Sequence, residues 1–503
     1  MQNKKIILIM TDTQRWDMVN CYRDTGLQTP NIDAIAAEGM RFERAYTTQP
    51  VCQPARAGIF TGQHPSVVGS WANSMGMSDN AYTLGQRLSA NGIHSAYIGK
   101  WHLDGGDYFG TGRCPAGWDE KYWYDMRRYL DELTEEERLL SRVTANMLTT
   151  HFSEEFTYGH RCSNRAIDFV KNHGQEDFFL ALSYDEPHGP SICPPEYFDL
   201  YKDFEFPKDP DVCDMLEGKP DYQRVWGAKN MTVKCEDVHL KARNLFGCNS
   251  FVDYEIGRVT AAIEEYCPSA VVIYTSDHGH AMHSHCLDGK GAAVYDSITR
   301  IPLIIKGRDI PKGVVNPHPI SHINLAPTVM ELMGLEPSKT FAGKSLTGEL
   351  TAEPQRVNDY VFIEFGRFEI DHDSNGGFQP LRAVFDGRFK LSVNLLSTDE
   401  LYDLQNDPYE LVNLIEDERY AAERNRLHDA VIENMNANRD PFRGYYWERR
   451  PWRKDAAPAT WRGLGMTRQR DEELEPKQLD YNTGLPMKEA TREQRPPWAK
   501  KEE

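Results

Sequence analysis

The chain has 503 residues, 40% hydrophobic and 11% aromatic, enough to bury a large core; one big domain with a smaller one appended fits better than three separate units. A formal charge of −19 argues against nucleic acid or an anionic membrane as a partner, so any anion pocket must be built locally from Arg, Lys and His. The ten cysteines (21, 52, 114, 162, 193, 213, 235, 248, 267 and 286) are scattered without a Cys-x-x-Cys pair, which suits free thiols in a reducing cytosol better than a disulfide scaffold or zinc ribbon.

The first apolar run, residues 6–10, is short and ends in Thr11-Asp12, so it predicts a buried strand rather than a secretory signal or membrane span. Three later runs also end in titratable residues. Residues 94–98 lead into Gly99-Lys100-Trp101-His102, 178–184 into Asp185-Glu186-Pro187-His188, and 270–274 into Thr275-Ser276-Asp277-His278-Gly279. Between them, 29–39, 83–91, 163–172 and 251–266 carry helical signals, the first with a Thr cap, Pro in the first turn and Gly at the end. Alternating β and α predicts a mainly parallel sheet covered by helices, with ligands at the carboxyl ends of its strands. Any one of these Asp or His residues could simply cap a helix or fix a turn. Four strand ends carrying groups suited to one anion-plus-metal site are harder to dismiss.

Cys52-Gln53-Pro54-Ala55-Arg56, followed by Ala57-Gly58-Ile59-Phe60-Thr61-Gly62, sharpens that reading. A buried Cys beside a turn Pro is the ordinary explanation. Yet 10 Cys, 29 Pro and at most 57 Arg in 503 positions predict only about 0.07 chance Cys-x-Pro-x-Arg matches. The segment resembles the signature that directs oxidation of Cys to formylglycine, an aldehyde whose hydrate has one hydroxyl to attack and another to collapse the intermediate.

From residue 6 to about 415 the chain resembles a type I, formylglycine-dependent sulfatase of the alkaline phosphatase superfamily. The resemblance rests on the opening strand with Asp12, Thr29-Pro30-Asn31-Ile32-Asp33, the Cys52 segment, Gly99-Lys100-Trp101-His102 and Glu186-Pro187-His188. It continues through Ser276-Asp277-His278-Gly279, Lys290, Ile301-Pro302-Leu303-Ile304-Ile305, residues 321–328 and residues 400–410. It implies an α/β fold with a large, mainly parallel sheet sandwiched by helices over residues 1–345. A smaller C-terminal α+β domain with an antiparallel sheet would fill 346–450; separately, the Pro-rich, charged composition from about 467 on predicts that 451–503 form a wrapping or partly disordered tail.

By the same resemblance Asp12, Asp277, His278 and modified Cys52 hold a divalent metal. Carboxylate oxygens suit Ca²⁺. Many sulfatases carry Asp where Thr13 stands and Asn where His278 stands, and these departures leave Mn²⁺ or Zn²⁺ open. Arg56 would fix the hydrate, and Lys100 and Lys290 would neutralise sulfate oxygens. His188, with Lys290, would protonate the leaving alcohol, and His102 would take the proton of the second hydroxyl.

In the C-terminal third, residues 360–365, 381–385 and 389–394 read as an antiparallel sheet. The insertion 366–378 is either a solvated loop or a sugar-reading element, its Arg367, Asp371 and His372 being candidate substrate contacts beside Trp71, Asn73 and Asp104. The strip of Arg and aromatic residues from Asp440 to Lys454 suggests a tail packed over the protein's own surface. The expected activity is hydrolysis of a sulfate ester on a carbohydrate, after maturation by a formylglycine-generating enzyme, in the cytoplasm. A phosphonate monoester or phosphodiester hydrolase on the same scaffold, or an unmatured protein that only binds anionic sugars, are the alternatives; homo-oligomerisation is left open.

Overall fold

The computed structural model of the chain describes residues 4–106, 108–143, 152–370, 372–454 and 484. Its centre is strand β1 (Lys5–Thr11), apolar on both faces because it is covered on both. Ile7 and Ile9 point into one layer, against helices Tyr158–His173 and Arg243–Tyr266. Ile6, Leu8 and Met10 point into the other, where helices Cys52–Thr61 and Leu325–Leu332 lie. Both long helices begin earlier than the sequence pattern predicts; Thr157 supplies the first one's cap by accepting from the His160 amide.

The large sheet adds β2 (Met40–Tyr46), β3 (His94–Gly99), β4 (Phe178–Ser183) and β5 (Val271–Ser276). The short β6 (Arg300–Ile301), β7 (Leu303–Lys306) and β8 (Val314–Ser321) complete it. Its order is β3-β4-β1-β5-β7-β2-β6, with β8 beside β2. β3, β4, β1 and β5 are mutually parallel; β7 runs against both β5 and β2. The register builds the site. Gly99 pairs with Ser183 and Thr11 with Ser276, so Lys100, Asp12 and Asp277 leave neighbouring strands at one edge. Gly99 has φ +112°, and a Cβ there would overlap the Ser183 carbonyl oxygen, so only glycine allows this close turn.

The second unit is an antiparallel sheet, β9 (Val361–Arg367), β10 (Phe378–Phe385), β11 (Phe389–Asn394) and β12 (Glu400–Asp403), in the order β12-β11-β10-β9. One face packs on helix Ala421–Ala437 together with Trp447 and Trp452. Val361, Ile363, Phe365, Leu381 and Ala383 cluster instead with Tyr46, Val51 and Ala292 of the large domain, directly behind position 52. Arg450 and Trp452 both bond Asp399, so this aromatic and basic strip folds onto its own domain. Nearly all of the tail beyond Lys454 lies outside the described residues.

The cysteines depart from the free-thiol expectation. Cys213 and Cys235 form a disulfide, while the other eight are free. Their separation of 22 residues belongs to no motif; only the folding of the excursion between β4 and β5 brings them together. Among the described residues no helix is long and apolar enough to cross a membrane.

Candidate active site

Cys52 opens a ten-residue helix, all of it buried, that starts after Val51 and has its Gln53 amide held by Asn73 Oδ1 at 3.1 Å. Around its thiol stand groups from every strand end singled out above. Lys290 Nζ donates to Sγ at 2.6 Å, His278 Nε2 is 3.2 Å from it and Asp12 Oδ1 3.8 Å. Arg56, one turn along the same helix, donates Nε to Asp277 at 3.0 Å and Nη2 to Asp12 at 3.1 Å. Its Nη1 reaches the Lys100 carbonyl at 2.6 Å and Ser183 Oγ at 2.7 Å. Lys100 Nζ lies 2.8 Å from Asp12 and 2.9 Å from Asp185. The side chains of Asp12, Arg56, Lys100 and Asp277 are 0% exposed.

Burial makes these charges expensive unless paired, and the pairing decides their protonation. Burial pushes Asp12 up, but Lys100, His188, Lys290 and Arg56 outweigh it and hold its carboxyl well below the usual range. Asp277 goes the other way: burial and the Asp12 carboxylate raise it to about 7 despite His278 and Arg56. His278 falls to about 4, chiefly through burial. Its Nδ1 donates to the Gly279 carbonyl at 2.8 Å, which leaves the Nε2 lone pair facing the carboxylates. Burial and Asp12 push the Cys52 thiol up, yet Lys290, Lys100 and a hydrogen bond from His188 bring it down to about 7.

Asp12, Cys52, Asp277 and His278 place their donor atoms within 4.8 Å of one another, all buried. Oxygen donors about 2.3–2.6 Å from a Ca²⁺ ion span about that distance across it. Two carboxylates that cannot both ionise freely, and a neutral imidazole turned toward them, fit a divalent cation.

His102, buried with φ +54°, lies near enough to Lys100 and Arg56 that burial and their charges hold it well below the ordinary histidine range. Among the described residues its buried Nδ1 has no hydrogen-bond partner. His188 is half-buried, and its Nδ1 is shared between the Gly189 carbonyl at 2.8 Å and the Tyr108 hydroxyl at 3.0 Å, leaving Nε2 to exchange a proton. Tyr108 was not foreseen. Its hydroxyl accepts from Lys100 Nζ at 2.8 Å and donates to Asp185 at 2.6 Å, linking three groups. Thr13 also belongs to the site: at φ +68° its Oγ1 donates to Asp12 Oδ1 at 2.7 Å, where many sulfatases place a carboxylate. Asp185 was legible as a strand-end acid; Tyr108, after a pair of glycines in a loop, had no signal of its own.

The candidate substrate residues divide. Asn73 is committed to the Gln53 amide, and its own amide donates to the Phe368 carbonyl, joining the insertion to the Cys52 helix. Trp71 packs edge-on to Phe442 at 5.6 Å. Asp104 accepts from Trp101 Nε1 at 3.0 Å. Arg367 pairs with Asp373 and His372 with Glu369, both on the exposed insertion. Asp371 lies outside the described residues. The insertion does flank the pocket: Asn375 accepts from the Ala292 amide at 3.1 Å, two residues beyond Lys290.

The profile of the family described as Sulfatase matches residues 4–335, and that described as N-sulphoglucosamine sulphohydrolase, C-terminal, matches 289–437. The chain is 47% identical to the uncharacterized sulfatase YidJ of Escherichia coli (strain K12), over 97% of both chains. The chain belongs to the sulfatase family. It is a sulfuric ester hydrolase. Among solved structures it resembles the protein BT4656 in complex with its substrate D-glucosamine-2-N,6-O-disulfate (TM-score 0.73, 20% identity, 88% of this chain and 99% of that one). It resembles the phosphonate monoester hydrolase of Agrobacterium radiobacter nearly as well (TM-score 0.72, 21% identity, 86% and 96%). At such identities these two likenesses concern the fold alone.

Proposed function

We propose that this sulfatase hydrolyses a sulfate ester on a carbohydrate, with Cys52 matured to formylglycine and a divalent cation, Ca²⁺ in preference to Mn²⁺ or Zn²⁺, held by residues 12, 52, 277 and 278. The observation that carries it is the pair of lysines facing position 52, Lys290 on Sγ and Lys100 on Asp12, inside a chain of net charge −19. The sulfated-sugar substrate of the structural neighbour, and a relative named N-acetylglucosamine-6-O-sulfatase from Bacteroides thetaiotaomicron, support the carbohydrate.

Here position 52 is a thiol, and Sγ stands where an oxygen of the formylglycine hydrate would lie. The hydrate would supply one hydroxyl to attack sulfur and a second to drive sulfate release. The cation would neutralise a sulfate oxygen and the developing charge at position 52. Arg56 holds both carboxylates in place from one fixed guanidinium. Lys100 and Lys290 stabilise the charge that moves onto the sulfate oxygens, in a pocket too dry to screen it. His188 delivers a proton from Nε2 to the leaving alcohol, oriented through Nδ1 by Tyr108 and Gly189. His102, kept neutral by burial and the neighbouring cations, takes the second hydroxyl's proton.

A maturation enzyme is part of this reading. The cytoplasmic location read from the cysteines is also a proposal, with eight free thiols for it and the Cys213–Cys235 disulfide against it. The decisive experiment couples the mass of the peptide bearing residue 52 with turnover of sulfated mono- and disaccharides and of matched phosphonate esters. An aldehyde mass with preference for sulfated sugars is expected. Preference for phosphonates would favour the related hydrolase activity, and an unmodified, inactive thiol the anion-binding alternative.

A further inference from the structure

The amino-terminal edge of the large sheet carries a second cluster of metal-ligating side chains. His94 begins β3 and pairs in register with Phe178, whereas Gly99 of the same strand pairs with Ser183 beside the active site. At about 3.3 Å per residue, five residues of strand separate the two places by about 17 Å. There the end of helix Tyr158–His173 meets the strand. His173 is the helix's last residue, and Glu176 follows three positions later.

The hydrogen bonds fix how these groups face one another. His94 Nε2 lies 2.8 Å from Asp119 Oδ2, and that carboxylate is itself anchored by the Lys121 amide at 2.8 Å. A carboxylate accepts only, so His94 carries its proton on Nε2 and, when neutral, presents a bare lone pair at Nδ1. That lone pair looks at another acceptor: Glu176 Oε2 is 3.7 Å from His94 Nδ1. The same oxygen is 3.1 Å from His173 Nδ1. The two imidazoles cross at 79° with centroids 4.6 Å apart. Two acceptors turned toward each other need a cation between them, either a proton or a metal ion. A second imidazole nitrogen converging on the same oxygen is what a metal site requires and a proton does not.

We propose that His94, His173 and Glu176 bind a divalent transition-metal ion of the Zn²⁺ type, with Asp119 orienting His94 from behind. The three donor atoms lie within 4.8 Å of one another. Bonds of about 2.0–2.1 Å in a tetrahedral site give ligand-to-ligand edges of about 3.3 Å, and the two separations from Glu176 fall on either side of that value. Two nitrogens and one carboxylate oxygen suit Zn²⁺ better than Ca²⁺ or Mg²⁺. The carboxylate–histidine–metal arrangement of Asp119 and His94 is the usual way a ligand imidazole is aimed. All four side chains reach solvent to some degree, so an ion can enter and water can fill the fourth position. The bound ion would tie the end of a core helix to β3, the edge strand of the sheet.

The test uses the enzyme with its active-site cation in place, titrated with ZnCl₂ in a calorimeter and followed by thermal unfolding. Wild type should take up one more equivalent of Zn²⁺ than His94→Gln, His173→Gln or Glu176→Gln, and should gain melting temperature from it where these three do not. Asp119→Asn should keep the site with affinity lowered about 10–100-fold. Sulfate ester hydrolysis should be the same in all four variants, which separates this site from the active site. If His94→Gln and His173→Gln both bind Zn²⁺ as wild type does, the imidazoles hold protons alone and the proposal is wrong.

Discussion

The floor and the rim of the pocket are built from the same residue types but held in opposite ways. On the floor, Arg56 bonds Asp12, Asp277, Ser183 and the Lys100 carbonyl, partners from four strand ends that are far apart in sequence. Its side chain and those of both Asp partners have no exposure. On the rim, Arg367 pairs with Asp373 and His372 with Glu369, each within six residues and each in contact with solvent. Long-range partners preorganise the floor for one fixed charge distribution. Local, exposed pairs are screened by solvent and hold their side chains weakly, so a sugar hydroxyl could displace them cheaply. In the proposed function the floor would recognise the sulfate, and the rim would tell different sugars apart.

The most severe break in the floor is Cys52→Ala. Turnover should fall below detection while the melting temperature stays close to wild type; hydrolysis comparable to wild type would end the proposed chemistry. Next comes the proton path. His188→Ala should cost about 10²–10⁴-fold on a sugar sulfate, whose alkoxide leaves badly, and far less on nitrophenyl sulfate. Tyr108→Phe should show the same leaving-group dependence at smaller amplitude, and equal losses on both substrates would remove both residues from this path.

A third test addresses charge rather than chemistry. Asp277, raised to about 7 in the fold, keeps a proton that the unfolded chain has already released above about pH 4. The folded state then binds more protons than the unfolded one, so this group makes stability fall as pH rises from about 4 to about 7. Buried histidines such as His278, held near 4, act in the opposite sense below pH 6.5, so the comparison must be with Asp277→Asn. Chelated wild type should lose melting temperature relative to that variant between about pH 5 and pH 7, and a divalent cation should reverse the loss. Parallel profiles would show that Asp277 is not raised. The smallest effect belongs to the rim. Arg367→Ala or His372→Ala should lower kcat/KM on the true sulfated sugar by about tenfold, about 1.4 kcal/mol, with simple aryl sulfates untouched. Equal losses on both substrates would make the insertion structural.

What could be read from the sequence follows the same division. The four strand ends were legible because buried parallel strands leave continuous apolar runs, and a titratable residue just past such a run stands out. The β11 limits, Phe389–Asn394, were legible for another reason: Phe389, Leu391 and Val393 alternate with Lys390, Ser392 and Asn394 in an antiparallel strand. Tyr108 was not, because its position depends on a loop crossing to Asp185 and His188, 77 and 80 residues later. Asn73 shows the converse: a polar residue near the nucleophile suggested sugar contact, but its oxygen is committed to the first turn of the Cys52 helix. The Cys213–Cys235 bond was missed because spacing alone says nothing about an irregular excursion that folds back on itself.

Cys52 is 1% exposed, on a helix with no residue at the surface. No second protein can enclose that thiol once the sheet, the Asn73 loop and β9 have closed around it. If Cys52 is matured as proposed, the oxidising enzyme would have to meet the segment while it is still extended, and a chain that folded first would be shut out for as long as it stayed folded. Under that proposal maturation would be a race against folding, and the active fraction of a preparation would record who won. Slower folding, by lower temperature or slower synthesis, would raise that fraction without altering a single residue of the site.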